Sequence, residues 1–318
     1  MKAIVQNGYG SPDFLELREV DRPAVADDGV LVKIRAASIN ASDWHLLRRL
    51  AHVVARLIGR PVPRVRGADM AGIVEACGRN VSRFKPGDEV FGFARGAFAE
   101  YVAASEAHIA LKPRALTFEQ AAAMPGAGCT AFQGLRDKAQ VQAGQKVLIY
   151  GAGGGTGTFA VQIAKALGAH VTAVTRTAHL DLLRSIGADQ VIDYTREDFT
   201  RRGERYDVLF DIGADRTDAD YRRALTPNGK LVLVGAPKKL GALLVRLVET
   251  LIRPRTGSGR IVLMARARQE DLVAMKELVE AGKLSPVIDR TFPLSAVPEA
   301  FRYFGTGRAG GKVVISMP

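Results

Sequence analysis

The sequence predicts an α/β protein in which a doubly wound parallel sheet is joined to a second, β-rich, barrel-like unit. Three observations predict it. The first hundred residues alternate short β-patterned runs with Gly, Pro and Asp turns. From Thr117 onward, strands alternate with helices, a pattern that demands a parallel sheet covered on both faces. At the head of that second region a strand runs into a glycine-rich turn and then an amphipathic helix.

In the first region, strands are expected at residues 1–6, 30–37, 72–77, 89–93 and 98–102. Between them, residues 43–58 have helical period, with Leu46, Leu47, Leu50, Val53, Val54, Leu57 and Ile58 on one stripe. Thr117-Phe118-Glu119-Gln120 reads as the capped start of an Ala-rich helix. Then follow a strand at 146–150, a helix at 157–167, a strand at 170–175 and a helix at 178–186. Short apolar strands come next at 190–192, 208–212 and 230–234, the last after the turn Thr226-Pro227-Asn228-Gly229. The tail, with a helix at 270–281 and a terminal strand at 311–315, is expected to return to the β-rich unit. The expected domains are therefore 1–120 and 259–318 for the β-rich unit and 121–258 for the parallel-sheet unit.

With 318 residues, 47% of them apolar, the chain is long enough for a substantial core and roughly two domains. Two cysteines, Cys77 and Cys129, supply neither a disulfide framework nor a four-thiolate metal site. No charged-then-apolar leader precedes the first periodic segment, so the cytoplasm is the expected compartment. The net charge is +12, but the basic residues are scattered in pairs such as Arg48-Arg49, Arg201-Arg202 and Arg222-Arg223. That distribution suits a solvated basic surface better than a dedicated nucleic-acid groove. The most apolar stretch, 240–252, is interrupted by Arg246 and Glu249 and falls short of the roughly 18 residues a membrane span needs.

The strongest signal is Val147-Leu148-Ile149-Tyr150 followed by Gly151-Ala152-Gly153-Gly154-Gly155-Thr156-Gly157 and a helix carrying Ala160, Ile163, Ala164 and Leu167. A strand, a glycine turn and a helix start turn backbone N–H groups and the positive end of the helix dipole toward a pyrophosphate. The expected phosphate-binding residues are Gly153, Gly154, Gly155, Thr156 and Gly157. About twenty residues further on, an acidic side chain would favour a free ribose 2′-hydroxyl. Here that strand ends Ala173-Val174-Thr175-Arg176-Thr177. With Thr175 and Arg176 in place of a carboxylate, the expected cofactor is NADP(H), the guanidinium pairing with the 2′-phosphate. A merely solvated arginine is the alternative.

At this point the chain resembles the medium-chain dehydrogenase/reductase superfamily, and within it the zinc-free, quinone-oxidoreductase-like branch. The resemblance runs along nearly the whole chain. It is carried by residues 67–78 (Gly-Ala-Asp-Met-Ala-Gly-Ile-Val-Glu-Ala-Cys-Gly), by Phe84-Lys85-Pro86-Gly87-Asp88-Glu89-Val90, by Gly96-Ala97-Phe98-Ala99-Glu100-Tyr101 and by the turn from Ala152 to Gly157. It implies a Rossmann domain together with a GroES-like barrel. Zinc-dependent members hold their metal with a cysteine where this chain has Asn40 and a histidine where it has Ala68. Cys129 near a third position cannot hold tetrahedral zinc alone, so no metal is expected.

Without a Lewis acid, activated acceptors become attractive. Quinones and α,β-unsaturated carbonyls need only hydrogen-bond donors to stabilise the developing enolate or phenolate. The resemblance implies that substrate class, with Asn40 beside the nicotinamide as positioning residue and oxyanion-side donor. Asp43 is the second candidate in the catalytic loop, expected chiefly to orient it. The resemblance also implies cofactor contacts from Thr130, Tyr194, Gly235, Ala236 and Lys312, an exposed strand lysine being the other reading of the last. His45 reads as a surface or helix-start histidine, and His179 contributes to the adenosine phosphate only if its helix start points inward. A longer segment at 43–63 and a basic amphipathic insertion at 238–260 depart from the compact members. A homodimer fits the resemblance. Rival readings are a metal-free alcohol dehydrogenase or an aldehyde or enoyl reductase, a non-catalytic nucleotide- or nucleic-acid-binding relative, and a reductase held at a membrane by the insertion.

Overall fold

The computed structural model describes residues 1–48, 52–53, 63–213, 216–234 and 259–318. The chain divides into two compact units: Met1–Cys129 with Ala267–Gly282 and Pro286–Pro318, and Thr130–Arg266 with Lys283–Ser285.

The chain opens with β1 (Lys2–Gln6), β2 (Leu15–Glu19), β3 (Gly29–Ser38), α1 (Ala41–His45), β4 (Asp69–Cys77), β5 (Glu89–Phe93), β6 (Tyr101–Ser105), β7 (Ile109–Leu111), α2 (Phe118–Ala122) and α3 (Pro125–Phe132). The second unit holds β8 (Lys146–Tyr150), α4 (Gly155–Ala166), β9 (His170–Thr175), α5 (Leu180–Ser185), β10 (Gln190–Asp193), β11 (Tyr206–Asp211), α6 (Asp218–Ala224), β12 (Leu225–Val234) and β13 (Arg260–Leu263). The tail adds α7 (Gln269–Glu280), β14 (Ile288–Pro293), α8 (Val297–Gly305) and β15 (Lys312–Ser316).

In the first unit a sheet runs β14-β15-β3-β4-β5-β7, with β6 also paired to β3. All its pairings are antiparallel except β14 with β15. The apolar, β-branched run Val30-Leu31-Val32 is buried on both faces, which suits β3 to the middle of the unit. Ile4, Ile34, Phe98 and Phe301 fill the core, the two phenylalanine rings meeting edge to face with centroids 5.9 Å apart. The strand expected at 98–102 is found at Tyr101–Ser105. Residues 98–100 instead bond to β1, through Ile4 N–H to Phe98 C=O and Glu100 N–H to Lys2 C=O, and only from Tyr101 does the chain align with β3. Of the helix expected at 43–58, the described part forms the short α1, a following turn and helix again at His52 and Val53; residues 49–51 and 54–58 lie outside the described residues.

The second unit is a six-stranded sheet in the order β10-β9-β8-β11-β12-β13, every pair parallel. This is the doubly wound dinucleotide-binding order, and β8 flanks the point where the order reverses. The glycine turn follows β8, so it lies at the carboxyl end of the strand where such sheets bind ligands. Leu148, Val174, Leu209 and Leu233 are fully buried beneath it. No helix among the described residues is long and apolar enough to cross a membrane.

Candidate active site

In the first unit, β3 ends at Ser38 and delivers Ile39 and Asn40 to the start of α1, where Asn40 is the N-cap. Asn40 N–H donates to Asp43 Oδ2 at 2.9 Å, so Asp43, 3% exposed, fixes the loop that carries Asn40. The last strand brings Lys312 to the same place. Its ammonium donates to Asn40 Oδ1 at 2.6 Å and to Ile39 C=O at 3.0 Å, and it lies 3.6 Å from Asp69 Oδ2. Asp69 opens β4 opposite Ser38 and accepts from Ser38 Oγ at 3.3 Å and from Gly126 N–H at 2.9 Å. That last bond places the carboxylate at the N-terminus of α3, where the helix dipole favours it.

A side chain at position 126 would not fit. A Cβ there would stand 2.9 Å from Asn40 Nδ2, Asn40 Oδ1 and Asp69 Oδ2, so glycine lets the α3 backbone close over the pair.

Four ionisable groups are thus buried together: Asp43, Arg66, Asp69 and Lys312, two of each sign. Burial pushes the Asp43 carboxyl up to about 6, with the nearby Asp69 charge adding to the effect. Asp69 is also raised, chiefly by burial, against the pull of Lys312, and burial lowers Lys312. Arg66 is 2% exposed; among the described residues its Nε and Nη2 have no hydrogen-bond partner, nor has Asp69 Oδ1. A buried charge without such opposites would be expensive, so the four groups depend on one another.

These donors do not suit a catalytic zinc. Asn40 presents a carboxamide where a thiolate would be needed, and Ala68, where an imidazole would be needed, offers only its backbone, its C=O accepting from Ala94 N–H. Among the described residues, no group of three or more His, Cys, Asp or Glu is arranged to hold a metal ion. Cys129 is buried, and Cys77 donates to Phe84 C=O at 3.4 Å.

In the second unit, Gly153 and Gly154 precede α4, while Gly155, Thr156 and Gly157 form its first turn, which no side chain caps. Among the described residues the space around Gly154 is open: a Cβ there would meet only Gly151 C=O, at 3.8 Å. An uncapped twelve-residue helix start beside open space fits a pyrophosphate. Gly153, by contrast, is enclosed. A Cβ there would lie 2.5 Å from both His179 Nδ1 and Thr175 Oγ1. The imidazole of His179 therefore leans over the glycine turn, which meets the condition set for it from sequence.

Arg176 is half-buried just past β9 and begins the turn Thr177–His179, its C=O accepting His179 N–H at 3.0 Å. Tyr194 is 38% exposed; its N–H donates to Thr175 C=O at 3.0 Å and its ring meets Tyr150 edge-on. Sequence reasoning missed Asp193, a carboxylate in this same corner. It accepts from Thr177 Oγ1, from Thr195 Oγ1 at 2.7 Å and from Thr195 N–H at 2.9 Å, and hydrogen bonds led by that of Thr177 hold its carboxyl below the usual range.

The structure thus gathers Asn40, Asp43 and Lys312 in one cluster, and Gly153, Thr175, Arg176 and Tyr194 around one turn. Thr130 is half-buried on α3. Gly235, Ala236 and the insertion at 238–258 lie outside the described residues. Ser38, Arg66 and Asp69 were not anticipated as site residues. The available signal was an aspartate heading an apolar strand, Asp69-Met70-Ala71-Gly72-Ile73, since a buried acid requires a partner.

Comparison with known proteins agrees with this architecture. The alcohol dehydrogenase GroES-like domain model matches residues 26–114, and the zinc-binding dehydrogenase model matches residues 186–315. The chain is 38% identical to a 2-methylene-furan-3-one reductase of Solanum lycopersicum, across 99% of this chain and 79% of that protein. It is 35% identical to a chloroplastic NADPH-dependent alkenal/one oxidoreductase of Arabidopsis thaliana, with the same coverage of 99% and 79%. The solved quinone oxidoreductase of Coxiella burnetii superposes with a TM-score of 0.85 at 30% identity, covering 100% of this chain and 99% of that one. The chain belongs to the medium-chain dehydrogenase/reductase superfamily. It is an oxidoreductase with a GroES-like and a Rossmann-like domain.

Proposed function

We propose that this protein is a zinc-independent, NADP(H)-dependent reductase of conjugated carbonyl compounds and quinones. The observation that carries the reading is the carboxamide of Asn40, held by Lys312 at the polar centre of the first unit. NADPH, when bound, supplies the hydride. Asn40 Nδ2 donates to the carbonyl oxygen of the acceptor as negative charge develops there, a task that conjugation makes feasible without a metal. Asp43 holds Asn40 in place through the backbone. The names of the tomato and Arabidopsis relatives point to acceptors whose C=C is conjugated to a carbonyl, and the Coxiella structure points to quinones.

For the cofactor, the open helix start at residues 154–157 takes the pyrophosphate, and Arg176 pairs with the 2′-phosphate beside Thr175, with Tyr194 at the rim. Thr130, Gly235 and Ala236 belong to the same proposal as contacts toward the nicotinamide. A homodimer and a cytoplasmic location complete the reading; β13, at the edge of the sheet among the described residues and followed by Met264 at 83% exposure, favours association.

The test is titration of the wild type and of Arg176→Ala with NADPH and NADH, followed by NADPH oxidation with a panel of quinones, enones, enoyl thioesters and saturated aldehydes. Saturable NADPH binding weakened by the substitution, with turnover of conjugated acceptors and not of saturated aldehydes, is the expected result. Failure to bind either nucleotide, together with salt-sensitive binding of nucleic acid, would replace it with the non-catalytic reading.

A further inference from the structure

We infer that Lys312 is a positioning residue that sets the polarity of the Asn40 carboxamide, so that the amide presents a donor and not an acceptor to the substrate oxygen. The inference rests on the proposed function, in which Asn40 faces the acceptor.

An asparagine amide is nearly symmetric in shape, and its two ends differ only in charge. If the amide were reversed, Oδ1 would meet the developing enolate and repel it. Two charged groups prevent the reversal. The ammonium of Lys312 donates to Oδ1 at 2.6 Å, a bond that a reversed amide, with its NH2 group against an ammonium, would lose. On the other side, the Asp69 carboxylate lies close to the amide, Asp69 Oδ2 and Asn40 Nδ2 each standing 2.9 Å from where a Cβ on Gly126 would be, and its negative charge favours the Nδ2 end. Held in this orientation, Nδ2 offers its hydrogens to an acceptor.

The lysine itself is built in. It is 3% exposed, and Ile39 C=O and the nearby Asp69 hold the rest of its ammonium, so it reaches the reaction through Asn40 and not by touching the nucleotide. Gly126 closes the arrangement by bringing backbone within contact of both Asn40 and Asp69.

The experiment compares wild type, Lys312→Met, Asn40→Ala and the double variant for kcat, for acceptor KM and for NADPH Kd by fluorescence titration. Lys312→Met is expected to lower kcat about tenfold while NADPH Kd stays within about twofold. In the Asn40→Ala background, Lys312→Met should cost nothing further, because the two residues act as one unit. Loss of NADPH affinity with kcat retained, or losses in kcat that multiply, would overturn the inference. Should Lys312→Met fail to fold, Asn40→Asp decides. That variant keeps the shape and the Lys312 contact but puts an acceptor at both ends, so its kcat should fall as far as that of Asn40→Ala with NADPH Kd within about twofold. Wild-type kcat in Asn40→Asp would refute the role of amide polarity. Absence of turnover by the wild type with every conjugated acceptor would remove the proposed function and this inference with it.

Discussion

The imidazole of His179 and the hydroxyl of Thr175 together occupy the space that a side chain on Gly153 would need, each 2.5 Å from a Cβ placed there. The glycine turn and the end of β9 are therefore one packed unit. Gly153→Ala must push both polar groups away from the nucleotide corner. NADPH affinity should fall about tenfold or more, by fluorescence titration, with little change in thermal midpoint. Unchanged affinity would mean that this corner does not hold the ribose.

Arg176→Ala probes the charge at that corner. Removing a charge-assisted bond should weaken NADPH by roughly tenfold to a hundredfold and leave NADH within about twofold. Equal effects on both nucleotides would show that Arg176 reads something common to them, and no effect would leave it a solvated surface residue.

Asp43 makes stability depend on pH. Its carboxyl is raised from 3.8 to about 6 by burial, so between those values the folded chain holds a proton that the unfolded chain has released. The stabilisation from this proton is full below pH 3.8 and is lost as pH rises through about 6. Asp43→Asn keeps an oxygen to accept from Asn40 N–H but does not titrate. Denaturant unfolding at several pH values should therefore show a flatter stability profile between pH 4 and 6 in Asp43→Asn.

Gly126→Ala tests the closure over Asn40 and Asp69. A methyl group 2.9 Å from three of their polar atoms must displace the amide. We expect kcat to drop about tenfold, with NADPH Kd within about twofold, since the altered group orients substrate oxygen.

Capping of α2 is a purely structural check. Thr117 Oγ1 accepts from Gln120 N–H at 3.2 Å, and Gln120 Oε1 accepts from Thr117 N–H at 3.0 Å. Thr117→Ala should destabilise the fold by about 1 kcal/mol in urea unfolding, with catalytic constants unaltered.

Much of this molecule is legible in its sequence. Five of the six parallel strands, the helix after the glycine turn, the capping box at Thr117 and the terminal strand follow from local rules of period, turn chemistry and capping, whereas β13, expected from residue 259 onward in the β-rich unit, pairs with β12 in the parallel sheet. Asn40 and the glycine residues stand out for similar reasons, the first through resemblance and the second through strand-turn-helix context. What escaped is what long-range packing creates. The strand expected at 98–102 begins at Tyr101 because β1 captures the preceding three residues, a competition between partners nearly a hundred positions apart.

The cluster around Asn40 illustrates the same division. Local sequence determined that residue 40 is a carboxamide at a helix start and that Arg176, not an acid, closes β9. It placed Lys312 in the terminal strand but left it readable as exposed, and it began β4 at Gly72, short of Asp69; both side chains are buried. Only the tertiary structure decided which partners they meet. Register between β3 and β4 sets Asp69 opposite Ser38, and pairing of β15 with β3 brings Lys312 across 272 positions to Asn40. Period and propensity report which face of a strand is buried, whereas the meeting of two charges is fixed by strand order and register, which no local rule encodes.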